Sequence, residues 1–390
     1  MKIRTFPTLL TILFIVLISS CRKNEPEWKG TIEEENGVSV IKNPKESLFV
    51  DYQVEFIEDL SIGIEEGDEH YMFFNPRAVD SDSEGNIYIL EYGASRIRKY
   101  DPKGQYLLDL TQRGQGPGEL EYPFFFCIDA QNRIFIIDIR KIVVLDQNGL
   151  YLNTIKFDSS MGQIALDNQG QIIISYRDYV EKDGGNVEEA EKIGIFNPKS
   201  QDLTDFFIQE RMTFRTIQGD DLYFEFPYFV RWGRDSNGNI YAATATDYTI
   251  HAFSTTGKLF AKFTRDFEPL PVESSIRKRV LEQLSTSKLP RAVSDSQDYK
   301  KFLNSYPVFK TISIDEKDRI WMESYIPRVA GQSRQDSIFN VFSSEGKYLF
   351  DTKIDHIIYP RLIFKNGYIY TLVVDESGFS RILRLKYIEK

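Results

Sequence analysis

The chain has 390 residues, 27% of them charged and 14% aromatic, with 58 acidic against 48 basic side chains and a formal charge of −10. That balance excludes the basic footprint a nucleic-acid partner needs. Three histidines and two cysteines leave little for a zinc centre or a disulfide framework.

In chain order, residues 1–20 carry Lys2 and Arg4, an apolar run from Leu9 to Ile18, and small residues before Cys21. This is an export signal, too short for a comfortable membrane span. The ending "LISSC" resembles the bacterial lipobox, which implies lipidation of Cys21 and a bilayer as partner. Removing Lys2 and Arg4 with the signal takes the charge to −10 − 2 = −12. Cys127 is then the one cysteine left for pairing, and between Phe126 and Ile128 it reads as a small buried hydrophobe. Residues 21–47, rich in Lys, Glu, Asn, Pro and Gly, predict a flexible tether.

From residue 48 a repeat organises the chain. "DSDSEGNIYILEYGASRIRKYDPKGQYLLDL" from Asp80 recurs from Ile128 and Gly233, with weaker copies at Ala165, Ser313 and Phe364. Each copy alternates strand, Asp/Asn/Gly turn and strand, and four antiparallel strands per unit make a propeller blade. Ile87, Ile134, Ile172, Ile240, Ile320 and Ile369 mark six units at intervals of 47, 38, 68, 80 and 49 residues. The last unit has room for three strands, and Tyr52–Ile57 supplies the fourth, closing the ring and hiding its edges. The fold expected is all-β, a six-bladed propeller.

"RGQGPGELEYPFFFC" from Arg113 has the glycines of a phosphate loop, but a strand follows where a helix and GK[ST] would be needed. It reads as the bend from blade one to blade two. Two insertions stand apart. Residues 178–191 predict an exposed hairpin tip in blade three, and residues 268–305, with Ile276, Val280, Leu281 and Leu284 at helical spacing, predict a helical cap between blades four and five.

"GQGPGELEYP" followed by "IDAQNRIFIID" is similar to NHL-type repeats. With the lipobox, the six units and "YPVFKTISIDEKDRIW", residues 48–390 resemble the six-bladed propeller lipoproteins of Bacteroidota, within the TolB-like superfold. The resemblance implies a monomeric envelope protein on the outer membrane. Arg22 after Cys21 is not the retention aspartate of enteric bacteria, and the late acidic run Glu33 to Glu35 favours the periplasmic side. No general activity comes with the resemblance.

Loops leading into the inner strands surround one mouth of a propeller. Five of the six carry X-Pro, blade three being the exception. Beside these prolines stand Arg77, Tyr122, Tyr228, Arg231, Tyr306, Lys310, Tyr359 and Arg361, a set suited to an anionic or sugar-like ligand. The second strands bring Glu91, Asp138, Asp247, Glu323 and Asp375 to the same face, where they could pair the cations or ring a calcium ion. The leading expectation is a non-catalytic propeller binding a small molecule, glycan or protein, without cofactor. Alternatives are a calcium-dependent hydrolase or lactonase in the channel, and a scaffold docking through the helical insertion. No GxSxG is present, and the EF-hand-like turns recur from unit to unit as blade turns.

Overall fold

A computed structural model describes residues 26–166, 170–181, 187–210, 217–219, 222–224, 230–244, 247–278, 282, 305–326, 336–375 and 377–390. Cys21 and Tyr228 therefore lie outside the described residues, as do the tip of the blade-three hairpin and most of the second insertion.

Six four-stranded antiparallel blades follow one another. Inner to outer, blade one is Pro76–Ser81, Ile87–Glu91, Arg96–Tyr100 and Tyr106–Asp109, and blade two is Phe125–Ile128, Ile134–Asp138, Lys141–Leu145 and Tyr151–Lys156. Blade three is Ser160–Leu166, Ile172–Glu181, Val187–Asn197 and Asp202–Glu210, and blade four is Val230–Arg234, Ile240–Thr244, Thr249–Phe253 and Leu259–Arg265. Blade five is Phe309–Ile314, Ile320–Ser324, Ser337–Phe342 and Tyr348–Ile354. Blade six has Ile358–Lys365, Tyr368–Val374 and Ser380–Glu389, and takes its outer strand, Val54–Ile62, from the start of the domain. A short hairpin, Ile217–Gly219 with Leu222–Phe224, separates blades three and four. The six-bladed architecture and its closure are those expected, with the closing strand starting and ending later than Tyr52–Ile57.

The six marker isoleucines are all fully buried. Because side chains alternate across a strand, each second strand feeds two interfaces. Ile87 packs against blade six while Tyr88 packs against blade two. Ile240 faces blade three while Tyr241 faces blade five. Ile320 faces blade four and Trp321 faces blade six. One apolar cluster thus fills each junction between neighbours, and the second strands read as continuous apolar runs because both faces are covered.

The aspartate turns have a common chemistry. Asp82, Asp129, Asp146 and Asp315 each accept backbone N–H groups from two and four residues ahead. The second oxygen of Asp82 takes the Tyr88 hydroxyl, and that of Asp315 takes Trp321 Nε1, both at 2.8 Å. These carboxylates fix turns and aromatic rings, which accounts for the Asp…Ile-aromatic repeat without a metal. The Gly114–Gly118 loop closes on itself: Glu119 accepts the Gly116 N–H at 2.8 Å, Gly118 takes φ 82°, and Leu120 is fully buried between blades one and two.

The expected tether is shorter than residues 21–47. Thr31–Glu35 and Val38–Asn43 form a hairpin whose second strand pairs in parallel with the outer strand of blade four. Val40 and Ile41 are buried there, and Asn43 accepts the Trp28 indole and Tyr348 N–H groups and donates to the Gly346 carbonyl. The amides of Leu48 and Phe49 then bond to the outer strand of blade five. The N-terminal segment runs along the outer edges of blades four, five and six in turn. The alternation Val38, Val40 carries this, outweighed in the sequence by the polar composition around it. In the second insertion, residues 274–278 are helical, and its two ends meet where Tyr306 N–H bonds to the Leu270 carbonyl at 2.8 Å.

Candidate functional site: the channel mouth

The inner strands are stapled by side chains around the ring. Asp80 of blade one accepts the Ile128 N–H of blade two at 2.8 Å. Gln163 of blade three donates to the Trp232 carbonyl of blade four, and Arg231 Nε of blade four donates to the Lys310 carbonyl of blade five at 2.8 Å. Ser313 of blade five accepts the Leu362 N–H of blade six, and Lys365 of blade six lies 3.1 Å from Asp80. One predicted binder, Arg231, is therefore a ring staple.

The acidic residues divide into separate structural roles. Glu91 is fully buried, accepts the Phe74 N–H at 2.8 Å, and has Arg96 and Arg98 Nε each at 3.0 Å. Burial pushes its carboxyl above the ordinary range, against the Phe74 hydrogen bond and the Arg96 charge. Asp138 accepts the Glu121 and Tyr122 N–H groups at 3.0 and 2.6 Å, holding the loop into blade two. Glu323 takes Lys310 Nζ at 3.1 Å, Thr311 at 3.3 Å and Ser337 at 2.9 Å, and burial raises its pKa too. Asp375 caps its own turn through the Ser377 and Phe379 amides, and Asp247 stands exposed. In blade three Tyr176 stands four residues after the marker isoleucine, where blades one and two have Glu91 and Asp138, and Glu191 from the third strand accepts the Val230 N–H. Among the described residues no group of three or more His, Cys, Asp or Glu side chains converges to hold a metal. The calcium ring considered from sequence has no converging ligand set among them.

The seven candidate binders among the described residues split the same way. On blades four and five, Lys310 is committed to Glu323, Arg231 to the Lys310 carbonyl, and Tyr306 stacks on Tyr325 with ring centres 5.8 Å apart. On blades six, one and two, Arg77, Tyr122, Tyr359 and Arg361 come together. Arg77 donates to the Tyr359 hydroxyl at 2.9 Å and its guanidinium lies 5.2 Å from the Tyr92 ring centre. Tyr92 faces Tyr122 at 6.4 Å. Tyr122 and Tyr359 are 48% and 39% exposed, so the rings form an open rim.

Two residues deeper on the same inner strand as Tyr359, Arg361 of blade six reaches past blade one to Phe125 of blade two, 5.3 Å from the ring centre. A side chain joining non-adjacent blades has to lie in the channel. Below it, Lys365 contacts Asp80 and, at 3.4 Å, the Ile128 carbonyl, forming a floor. Tyr92, Phe125 and Lys365 were absent from the sequence-based set. Tyr92 was legible as the neighbour of Glu91 at a second-strand end, whereas Phe125 was hidden inside the aromatic run Phe124 to Phe126, read simply as strand.

Comparison with known proteins agrees on the fold. A family model described as a 6-bladed beta-propeller matches residues 66–251. Among solved structures, a candidate exported protein of Bacteroides fragilis is similar with TM-score 0.52 and 12% identity, over 89% of this chain and 99% of that one. A duf4221-family protein of Bacteroides vulgatus gives 0.50 and 11%, over 86% and 99%. Virginiamycin B lyase from Staphylococcus aureus gives 0.45 and 12%, over 87% and 100%. Among curated proteins none matches the chain. The chain is a six-bladed β-propeller, as its resemblance to the propellers of Bacteroidota implied, and it shares that fold with proteins of Bacteroides.

Proposed function

We propose that this chain is an exported, lipid-anchored binding propeller whose ligand, anionic or sugar-like, is held at the rim formed by blades six, one and two. The carrying observation is the Arg77–Tyr359 bridge. Arg77 has no carboxylate partner among the described residues, and its Nε is buried without a hydrogen bond. A cation set among exposed tyrosines and left without an acid is chemistry for a ligand, since a guanidinium pairs with carboxylate, sulfate or phosphate and ring faces suit the C–H faces of sugars. No catalytic constellation accompanies it among the described residues.

Lipidation at Cys21 places the body on the outer membrane, facing the periplasm. Because Trp28 is already docked on Asn43, the chain length from Cys21 to Trp28 allows a reach of at most about 25 Å, and the propeller sits close to the bilayer. No helix among the described residues is long and apolar enough to cross a membrane.

The test is a set of thermal melts of the full chain with galacturonate, galactose and inorganic phosphate at constant ionic strength. A melting rise with galacturonate or galactose that is lost in Arg77→Gln and Tyr359→Phe supports the rim as the binding site. A rise that both variants retain in full places the ligand elsewhere. Mass spectrometry for acylated Cys21 checks the anchor independently.

A further inference from the structure

We propose that Arg361 is the anion-recognition residue of this channel: a carboxylate, sulfate or phosphate passes the tyrosine rim and docks on its guanidinium, between Phe125 and the Asp80–Lys365 floor. The inference rests on the reading that the ligand enters between blades six, one and two, and adds a chemical class and a second, deeper contact.

Four observations carry it. First, Arg361 spans non-adjacent blades to meet Phe125, which puts its charged end in the channel below the Arg77–Tyr359 bridge. Second, the guanidinium has no ion pair and donates no hydrogen bond to any described residue, and what it meets among them is an aromatic face. Third, the nearby acid cannot serve it fully. Asp80 already accepts the Ser81 and Ile128 N–H groups at 2.8 Å each and has Lys365 at 3.1 Å. Fourth, burial is the first cause that pulls the Arg361 pKa below its ordinary value, with Asp80 opposing it.

A partly buried cation without a counterion costs a fold stability, and Arg361 is partly buried. Two other cations of the inner strands are paired: Lys310 has Glu323 and Lys365 has Asp80. Arg361, like Arg77, departs from that pattern, beside the exposed rings of Tyr122 and Tyr359. Bidentate guanidinium geometry suits a planar carboxylate or a tetrahedral oxyanion. The two arginines are stacked in depth, so an anion on Arg361 leaves the rest of its molecule at the level of Tyr359 and Tyr122.

The experiment compares full-chain wild type, Arg361→Met and Arg361→Lys in melts with and without galacturonate, inorganic phosphate and galactose, at constant ionic strength. Without ligand, Arg361→Met melts higher than wild type, by about 2 °C or more, because an uncompensated charge becomes an apolar side chain of similar reach. Galacturonate and phosphate raise the wild-type melting temperature and leave Arg361→Met unmoved, with Arg361→Lys between. A wild-type rise with galacturonate alone identifies a carboxylated sugar, and a rise with phosphate as well identifies a simple oxyanion. The proposal is overturned if Arg361→Met melts lower than wild type, if it keeps the full anion response, or if neither anion moves the wild type. Galactose binding that depends on Arg77 and Tyr359 with no anion response would overturn this inference and leave the rim reading standing. Anion binding that depends on Arg361 but not on those two would do the reverse.

Discussion

Blades four and five and blades six, one and two present the same residue types to the same mouth, and use them oppositely. On the first side the cations are consumed: Lys310 by Glu323, Arg231 by a main-chain carbonyl of the next blade. On the second, Arg77 meets a tyrosine hydroxyl and Arg361 an aromatic face, with no acid for either among the described residues. Burial alone does not make the difference, because Lys310 and Arg361 are both partly buried. The difference is whether a carboxylate or a main-chain carbonyl of a neighbouring strand takes up the cation. A basic residue beside a propeller channel therefore reads as a binder only after its acid has been looked for on the neighbouring blade.

The sharpest way to break the comparison is to remove that carboxylate. Glu323→Ala strips Lys310, Thr311 and Ser337 of one acceptor at once, and Ser337 in turn accepts the Ile358 N–H that starts blade six. Losing one side of a buried pair costs on the order of 3 kcal/mol, read as a lowered denaturant midpoint. Glu323→Gln, which keeps an acceptor for the hydroxyls, costs less. Both variants leave the ligand response of the folded fraction unchanged, since the anion site lies across the channel. If Glu323→Ala were as stable as wild type, the committed half would not be the structural half.

The next effect belongs to the other side. Asp138→Ala removes the acceptor for two amides that place Tyr122, and two part-buried donors left without a protein partner cost about 1 kcal/mol. Here stability and ligand response fall together, because Asp138 positions a rim residue. A loss of stability with an intact response to galacturonate would remove Tyr122 from the site.

How much of this was legible in the chain follows from the range of the interactions. The blades were readable because Ile87 and its counterparts, with the aspartate five residues before most of them, repeat a local hydrogen-bonding unit that folds within one turn of chain. Closure by an N-terminal strand was readable because three strands at one end and a spare one at the other leave a single arrangement without open edges. The hairpin at 31–43 was missed because its partner strand is more than two hundred residues away in sequence, and its own segment carries three consecutive glutamates. The mouth was half readable. The X-Pro lead-ins located Arg77, Tyr122, Tyr359 and Arg361, but whether a cation finds an acid is settled between blades, by contacts such as Lys310 with Glu323 that no local pattern encodes.

A smaller effect separates closure from the mouth. Asp59 of the closing strand lies 2.7 Å from Arg384 Nε and 2.6 Å from Lys386 Nζ. Hydrogen bonds from Lys386 and then Arg384 hold its carboxyl below the ordinary range, against burial, which pushes it up. A depressed carboxyl stabilises the fold above its unfolded pKa, and the contribution is lost as pH falls through the folded value. Asp59→Asn therefore costs about 1 kcal/mol at neutral pH and shows a smaller loss of stability than wild type on acidification below about pH 4. Amide exchange along Val54–Ile62 reports this locally. Neither change moves the response to anions, since Asp59 lies on the outer edge of blade six, away from the channel. A response that tracked Asp59 would mean that closure, and not the mouth, governs binding.

The smallest effect on stability is expected at the rim itself. Tyr122 is 48% exposed and its ring faces Tyr92, so Tyr122→Phe stays within about 0.5 kcal/mol of wild type. If Tyr122 serves the ligand through its ring, that variant keeps the galacturonate response while Tyr122→Ser reduces it. If the hydroxyl is the contact, both reduce it equally. The distinction decides what sits above the anion, because a ring face recognises the apolar side of a sugar or another planar group, whereas a hydroxyl recognises a polar one. An outcome in which neither variant alters binding would shrink the site to Arg77, Tyr359 and Arg361, all on blades one and six.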